Sequence, residues 1–255
     1  MAAHIQSTLK RLWHSCELFS RDWRFSLHVR PFRTVSSASV VVHYAPALEQ
    51  ELDLLFRYAL QRYHWELVDL TQQFGIELPA PVTVFLVRSP RDIERLFHID
   101  RGGVALPDYN AIVLAAGSND RKTIRHEFAH LFSATWNPSA PPLLWEGLSV
   151  WLQDCDGRES VESDARSAMW DGSLTLNRLL NEESLFRTRE FCHEAYMLAG
   201  SFTDFLIRHY GWNRYRIFYS GASAVGFRRE FEDSFSIDLD AAEETWRDEG
   251  IARWS

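Results

Sequence analysis

The sequence has few cysteines, no long hydrophobic run and no excess of positive charge. Its three cysteines, Cys16, Cys155 and Cys192, are an odd number at unrelated spacings, a pattern that predicts neither a disulfide framework nor a CxxC metal site. The longest segments without Asp, Glu, Lys or Arg, 34–48 and 130–145, are too short to span a membrane as a helix. The net charge of −8 disfavours nucleic-acid binding, because neutralising phosphates requires a basic surface.

The N-terminal segment lacks the pattern of a signal peptide. Lys10 and Arg11 are basic, but polar residues interrupt the stretch that follows them, so no apolar core of a signal sequence is present. With so few cysteines, we therefore expect a reduced, cytoplasmic protein. What the chain does have is 255 residues of which 46% are hydrophobic, enough to bury a sizeable core.

Composition and periodicity divide the chain into an N-terminal appendage and one domain. Residues 1–37 are polar and rich in Arg and Ser, and residues 38–255 form the predicted domain. β-Branched apolar segments predict strands, and helical spacing with cap signals predicts helices. The strands are 39–44, 82–87 and 111–115; the helices are 49–74, 89–97, 121–135, 143–153, 195–210, 214–219 and 239–247. A strand-rich lobe up to about residue 136 and a mostly helical lobe after it predict an α+β fold.

The helix predicted from residue 121 carries the motif HExxH. His126 and His130 are four residues apart, so their imidazoles lie one turn apart on the same face of the helix. Two neutral imidazoles in this arrangement can bind one Zn²⁺. Glu127 projects beside that face, where its carboxylate can accept a proton from water. The alternative is that both histidines are ordinary polar residues of a half-buried helix.

A catalytic zinc site usually has three protein ligands, so a third is expected from a neighbouring element. Glu146 lies sixteen residues after His130, on the next predicted helix, and a proline-rich loop between the two helices permits antiparallel packing. Gly147 beside it allows the helices to approach closely. Glu146 is therefore the candidate third ligand, and the alternative is a solvated helix carboxylate.

At these motifs the chain resembles the gluzincin zinc metallopeptidases, and more specifically the peptidase MA-like group. The matching segments, within roughly Val40 to Gly250, are GGVALPDYNAIVLAA, RHEFAH, PPLLWEGLSVWL, AYMLAGSFTDFLIRHYG and LDAAEETWRDEG. The resemblance implies a zincin-like fold in which a thermolysin-like strand lobe precedes the active-site helix. It also implies zinc ligands at His126, His130 and Glu146, with Glu127 as general base.

The resemblance also implies a tyrosine that donates a hydrogen bond to the oxyanion, and this role falls on Tyr196. Core packing is the alternative for Tyr196, and His193 is the alternative donor. One position departs from the family pattern. Thermolysin-like enzymes carry an Asp four residues after the glutamate ligand, where it supports a ligand histidine, and here that residue is Val150.

The sequence therefore predicts a zinc-dependent peptidase that acts on a peptide or protein substrate. An extended substrate is expected to add to the strand 111–115 at a sheet edge. One alternative is a catalytically inert metallopeptidase-like scaffold that binds zinc or a peptide. A metal hydrolase for a non-peptide bond is another.

Overall fold

The structure is a computed structural model, and it describes residues 28–98, 101–153, 163–165, 167–168, 174–186 and 192–252. The greater part of the predicted appendage, residues 1–27, lies outside the described residues, as do Cys16 and Cys155. The chain divides into two compact units, one up to Phe132 and one from Ser133 onward.

A five-stranded mixed sheet lies in the first unit. Its strands are β1 (Arg33–Ser36), β2 (Val40–Tyr44), β3 (Val82–Val87), β4 (Gly103–Leu106) and β5 (Ala111–Ala115), in the order β1-β2-β3-β5-β4. The inner strands β2, β3 and β5 run parallel, and β1 and β4 pair antiparallel at the edges. Every residue of β5 is buried, as expected for a parallel strand covered on both faces.

The position of β5 corrects one prediction. From sequence, residues 111–115 are expected to offer a sheet edge to a substrate, but β5 is paired on both sides, with β3 and with β4. The edge strand on this side of the sheet is β4. This strand is four residues long and begins at Gly103, whereas the sequence predicts that Gly102 and Gly103 open a loop.

Three helices of the first unit begin or end at recognisable signals. They are α1 (Glu49–Phe74), α2 (Pro90–Phe97) and α3 (Arg121–Trp136), the last of which continues into the second unit. α1 ends at Gly75, whose φ of 67° is the left-handed conformation that glycine adopts readily. Ser89 and Asp92 form a capping box at the start of α2. At the start of α3, Asp120 accepts a hydrogen bond from the backbone N–H of Thr123.

Side chains of α2 and of strands β3 and β5 form the hydrophobic core on one part of the sheet. The buried members include Phe85, Ile93 and Val113, with Phe97 and Val104 packed against them. Such burial of large apolar side chains is the main source of the unit's stability.

The second unit is helical in the residues that the structure describes. Its helices are α4 (Pro142–Gln153), α5 (Leu176–Asn181), α6 (Cys192–Tyr210), α7 (Trp212–Gly221), α8 (Phe227–Phe235) and α9 (Leu239–Ala252). Aromatic rings form its core: Phe218 packs edge-on against Phe231 and Phe235, and Phe202 packs against Trp246. The indole N–H of Trp246 donates to Ser201, so the buried polar group is satisfied.

The α+β class is confirmed, with strands in the first part of the chain and helices in the second. The helices at 49–74 and 121–136 and the strands at 82–87 and 111–115 lie where the sequence predicts them. Residues 33–36, expected in the appendage, form β1 and pair with β2. Among the described residues, no helix is both long and apolar enough to cross a membrane.

Candidate metal centre

Helix α3 carries both histidines of the HExxH motif at the spacing that the motif predicts. The Nε2 atoms of His126 and His130 lie 3.2 Å apart, and the two rings are nearly perpendicular, with centroids 4.8 Å apart. His130 is buried. The two imidazoles therefore direct the same ring nitrogen towards one point.

Glu146 of α4 completes a group of three potential ligands. The ligand atoms of His126, His130 and Glu146 all lie within 4.8 Å of one another. The five residues 137–141 connect α3 to α4, and Asn137, in that connection, donates side-chain hydrogen bonds to the carbonyls of Tyr219 and Ala222. A group of this composition and spacing could hold a metal ion.

The donor set and its spacing fit a zinc ion. Two imidazole nitrogens that bind one zinc at about 2.05 Å with tetrahedral geometry lie about 3.3 Å apart, close to the 3.2 Å between the histidine nitrogens. Two imidazoles and one carboxylate are also a ligand set of catalytic zinc sites, which leave the fourth position open.

Glu127, the predicted general base, directly follows His126 in the chain. Its side chain is buried, with a residue exposure of 6%. Its carboxylate lies against Gly103, the first residue of the edge strand β4. The side chain is therefore confined by the sheet of the first unit.

An ionic cluster around the buried pair of Arg125 and Glu66 fixes α3 against α1. The guanidinium of Arg125 donates to Glu66 at 2.9 Å, to Asp69 at 2.5 Å and to Gln73 at 3.1 Å. Arg121 donates to the other carboxylate oxygen of Glu66 at 2.7 Å. Since these partners occupy one face of α1, the cluster sets how α3 is rotated about its own axis.

The helical periodicity relates this cluster to the motif. Residue 125 faces α1, and at about 100° per residue His126 and His130 point roughly 100–140° away from that direction. Aromatic contacts of Tyr63 with Phe128 and of Phe74 with Phe132 hold the same face. Anchoring one face of α3 thus orients the two histidines on another.

In the second unit, α4 packs closely on α6 next to Glu146. A side chain at Gly147 would approach the carbonyl oxygen of Ala199 and the hydroxyl of Thr203 to 2.6 Å. The indole N–H of Trp151 donates to Asp204 at 2.9 Å, and Asp204 also accepts from Arg208 at 2.6 Å. The sequence predicts that Gly147 permits a close approach of α4 to α3, whereas the close approach that these distances show is of α4 to α6.

Two buried tyrosines of α7 lie close to this helix pair. Burial raises the pKa of Tyr215 and of Tyr219 well above the ordinary value of a tyrosine. A hydrogen bond with Ser133 opposes the shift of Tyr219, whereas the charges of Tyr215 and Glu146 add to it. Tyr219 is therefore neutral, and it lies within electrostatic reach of the Glu146 carboxylate.

The remaining site predictions fall on α4 and α6. Tyr196 is buried, and its ring packs edge-on against Phe186 with a centroid distance of 5.6 Å. His193 is mostly exposed, and its Nε2 lies 3.3 Å from a carboxylate oxygen of Asp164. Val150 is fully buried. The oxyanion role of Tyr196 stays a prediction.

Sequence reasoning missed the close contact of Gly103 with Glu127 and the buried pair of Arg125 with Glu66. The only local signal was the Gly-Gly pair at 102–103, because a glycine that opens a strand often marks a close approach. Arg125 and Glu66 are 59 residues apart, and no local pattern links them.

No family model matches the chain, and no curated protein matches its sequence.

Proposed function

We propose that the protein is a zinc-dependent peptidase of the gluzincin type. The observation that carries the proposal is the convergence of His126, His130 and Glu146, whose ligand atoms lie within 4.8 Å of one another next to a buried Glu127. A zinc ion held by these three residues would lower the pKa of a water towards about 7 and polarise a scissile carbonyl.

Residues of the chain would then accept and donate the proton that moves during hydrolysis. The Glu127 carboxylate accepts a proton from water as the water attacks the peptide carbonyl, and it delivers that proton to the leaving amine. The imidazoles of His126 and His130 must be neutral at Nε2 to serve as ligands, so each carries its proton on Nδ1. Tyr196 is the proposed donor to the oxyanion that develops on the carbonyl.

We also propose that the fold is zincin-like. The support is the element order: a mixed sheet with an antiparallel edge strand, then the HExxH helix, then a helix with the third ligand. If the fold is zincin-like, an extended peptide adds to the edge strand β4, and Glu127 lies next to that strand.

Metal content and peptide hydrolysis test the proposal together. The purified full chain should hold about one zinc and should cleave members of a peptide library, and chelation should abolish both properties until zinc is restored. His126→Ala, His130→Ala and Glu146→Ala should each reduce zinc occupancy. His209→Ala, a histidine that pairs with Glu249 and not with this group, is the matched control and should keep the zinc.

Three outcomes would contradict parts of this proposal. If Glu146→Ala binds zinc as tightly as the parent, Glu146 is not the third ligand. A protein that binds zinc and cleaves no peptide is the inert scaffold. Cleavage of ester or phosphoester substrates in preference to peptides would assign a different hydrolase activity to the same residues.

A further inference from the structure

Gly103 lies unusually close to the side chain of Glu127. A Cβ atom added at Gly103 would stand 2.6 Å from Oε1, 2.8 Å from Cγ and 2.9 Å from Cδ of Glu127. Real Cβ atoms essentially never come so close to another heavy atom. The glutamate side chain therefore occupies the space that any other residue at position 103 would fill.

A small movement of the carboxylate would not relieve this contact. The clash includes Cγ and Cδ as well as the terminal oxygen, so the whole side chain beyond Cβ would have to turn. Glu127 is also 6% exposed, which leaves it little room to turn into solvent. Packed interiors resist such additions because neighbouring atoms cannot all give way.

We propose that Gly103 is a positioning residue for Glu127: the absence of a side chain at the start of β4 lets the glutamate lie flat against the strand. The inference rests on the proposed function for the role of Glu127, whereas the contact itself does not. Because β4 pairs with the buried inner strand β5, the surface against which Glu127 rests is held in place by the sheet. Substitution at 103 should thus displace the carboxylate without removing any zinc ligand.

Two nearby glycines provide matched controls. A Cβ at Gly102 would also clash, at 2.4 Å, but with the hydroxyl of Ser118 and not with Glu127. A Cβ at Gly117 would meet no atom within 4 Å. Gly102→Ala controls for general overpacking at this end of the strand, and Gly117→Ala controls for the loss of a glycine.

The first test is a double-mutant cycle on thermal unfolding of the metal-free protein, which does not depend on activity. Gly103→Ala should lower the Tm of the parent by about 2–6 °C, the scale of overpacking in a chain of this size. In a Glu127→Ala background the same change should shift the Tm by less than about 1 °C. Gly102→Ala should lower the Tm equally in both backgrounds.

The second test measures function in the zinc-loaded protein. Gly103→Ala should keep about one zinc and a KM near that of the parent while kcat falls about 10²-fold, the effect expected when a reacting group is displaced by about 1 Å. Gly102→Ala and Gly117→Ala should keep the parent kcat.

The results separate this inference from the proposed function. An equal Tm loss for Gly103→Ala in both Glu127 backgrounds, or parent kcat in Gly103→Ala, would overturn the assignment of Gly103 alone. If the parent binds no zinc and cleaves no peptide, the proposed function fails even when the two residues are coupled in Tm. If Gly103→Ala does not fold but Gly103→Ala with Glu127→Ala does, the contact is supported.

Discussion

Arg125 and Glu66 form an ion pair in which both side chains are almost completely buried. The guanidinium Nη1 lies 2.9 Å from Oε2 of Glu66, and the two side chains are 2% and 6% exposed. Arg125 directly precedes His126 in the chain, so this pair anchors the motif at its N-terminal side. Its partners on α1 belong to the first unit, and hence the two histidines of the motif are oriented by a helix that contributes no residue to the group of three.

Breaking this buried pair should destabilise the protein strongly. Glu66→Ala leaves the Arg125 charge buried with Asp69 as its remaining carboxylate partner, so the free energy of unfolding should fall by about 3 kcal/mol. Urea unfolding of the parent and the variant measures this difference. The matched control is Glu49→Ala, which removes the exposed pair between Arg33 and Glu49 and should cost less than about 1 kcal/mol. Equal losses for both variants would contradict a special role of burial.

Glu127→Gln should separate zinc binding from catalysis. The amide keeps the shape of the side chain but cannot accept a proton, so kcat should fall by about 10²-fold or more while zinc content and peptide affinity stay near the parent values. Steady-state kinetics with metal analysis measures both. A Gln variant with near-parent turnover would show that Glu127 is not the general base.

Tyr196→Phe tests the predicted oxyanion donor. The change removes only the hydroxyl, so packing against Phe186 and zinc content should be retained, and kcat and kcat/KM should fall together by about 10²-fold. Parent kinetics for this variant would make Tyr196 a core residue. His193→Ala is measured in parallel: a large kcat defect there, with Tyr196→Phe unaffected, would move the role to His193.

Gly147→Ala should loosen the packing of α4 on α6. The added methyl would meet the backbone carbonyl of Ala199, which cannot turn away as a side chain could, so the free energy of unfolding should fall by about 1–3 kcal/mol. Gly221→Ala is the matched control, because no atom lies within 4 Å of its added Cβ and alanine favours a helix. A Gly147→Ala variant as stable as Gly221→Ala would contradict the close approach.

His43 should make stability depend on pH. Burial lowers the pKa of its imidazole, so the unfolded state binds the proton more tightly than the folded state. Its contribution to stability is present above the unfolded pKa near 6.5 and is lost as the pH falls through the lowered folded pKa. His43→Phe keeps a ring against Phe85, on which His43 stacks. Urea unfolding at pH 7.5 and at pH 5 should show a smaller acid loss for the variant; an equal loss would rule out His43 as the cause.

The features that could be predicted from sequence are those with a local signal. The HExxH spacing, the capping signals of α2 and α3 and the apolar runs of β3 and β5 each lie within a few residues of chain. The pairing of strands has no such signal, so the sequence alone places β5 at an edge and predicts that Gly102 and Gly103 open a loop where β4 begins. The pair of Arg125 with Glu66 is likewise set by tertiary packing, and neither residue stands out in its own segment.

The short length of β4 limits what its backbone can bind. The N–H of Ala115 donates to the carbonyl of Gly102, and bonded and non-bonded residues alternate along an antiparallel pair, so Gly103 and Ala105 direct their backbone groups away from β5. A peptide that added to this edge would form at most about four backbone hydrogen bonds, together about 4 kcal/mol at about 1 kcal/mol each. That corresponds to an affinity of about 1 mM. Discrimination between peptides would therefore depend on their side chains, because the strand edge forms hydrogen bonds only with the backbone, which all peptides share.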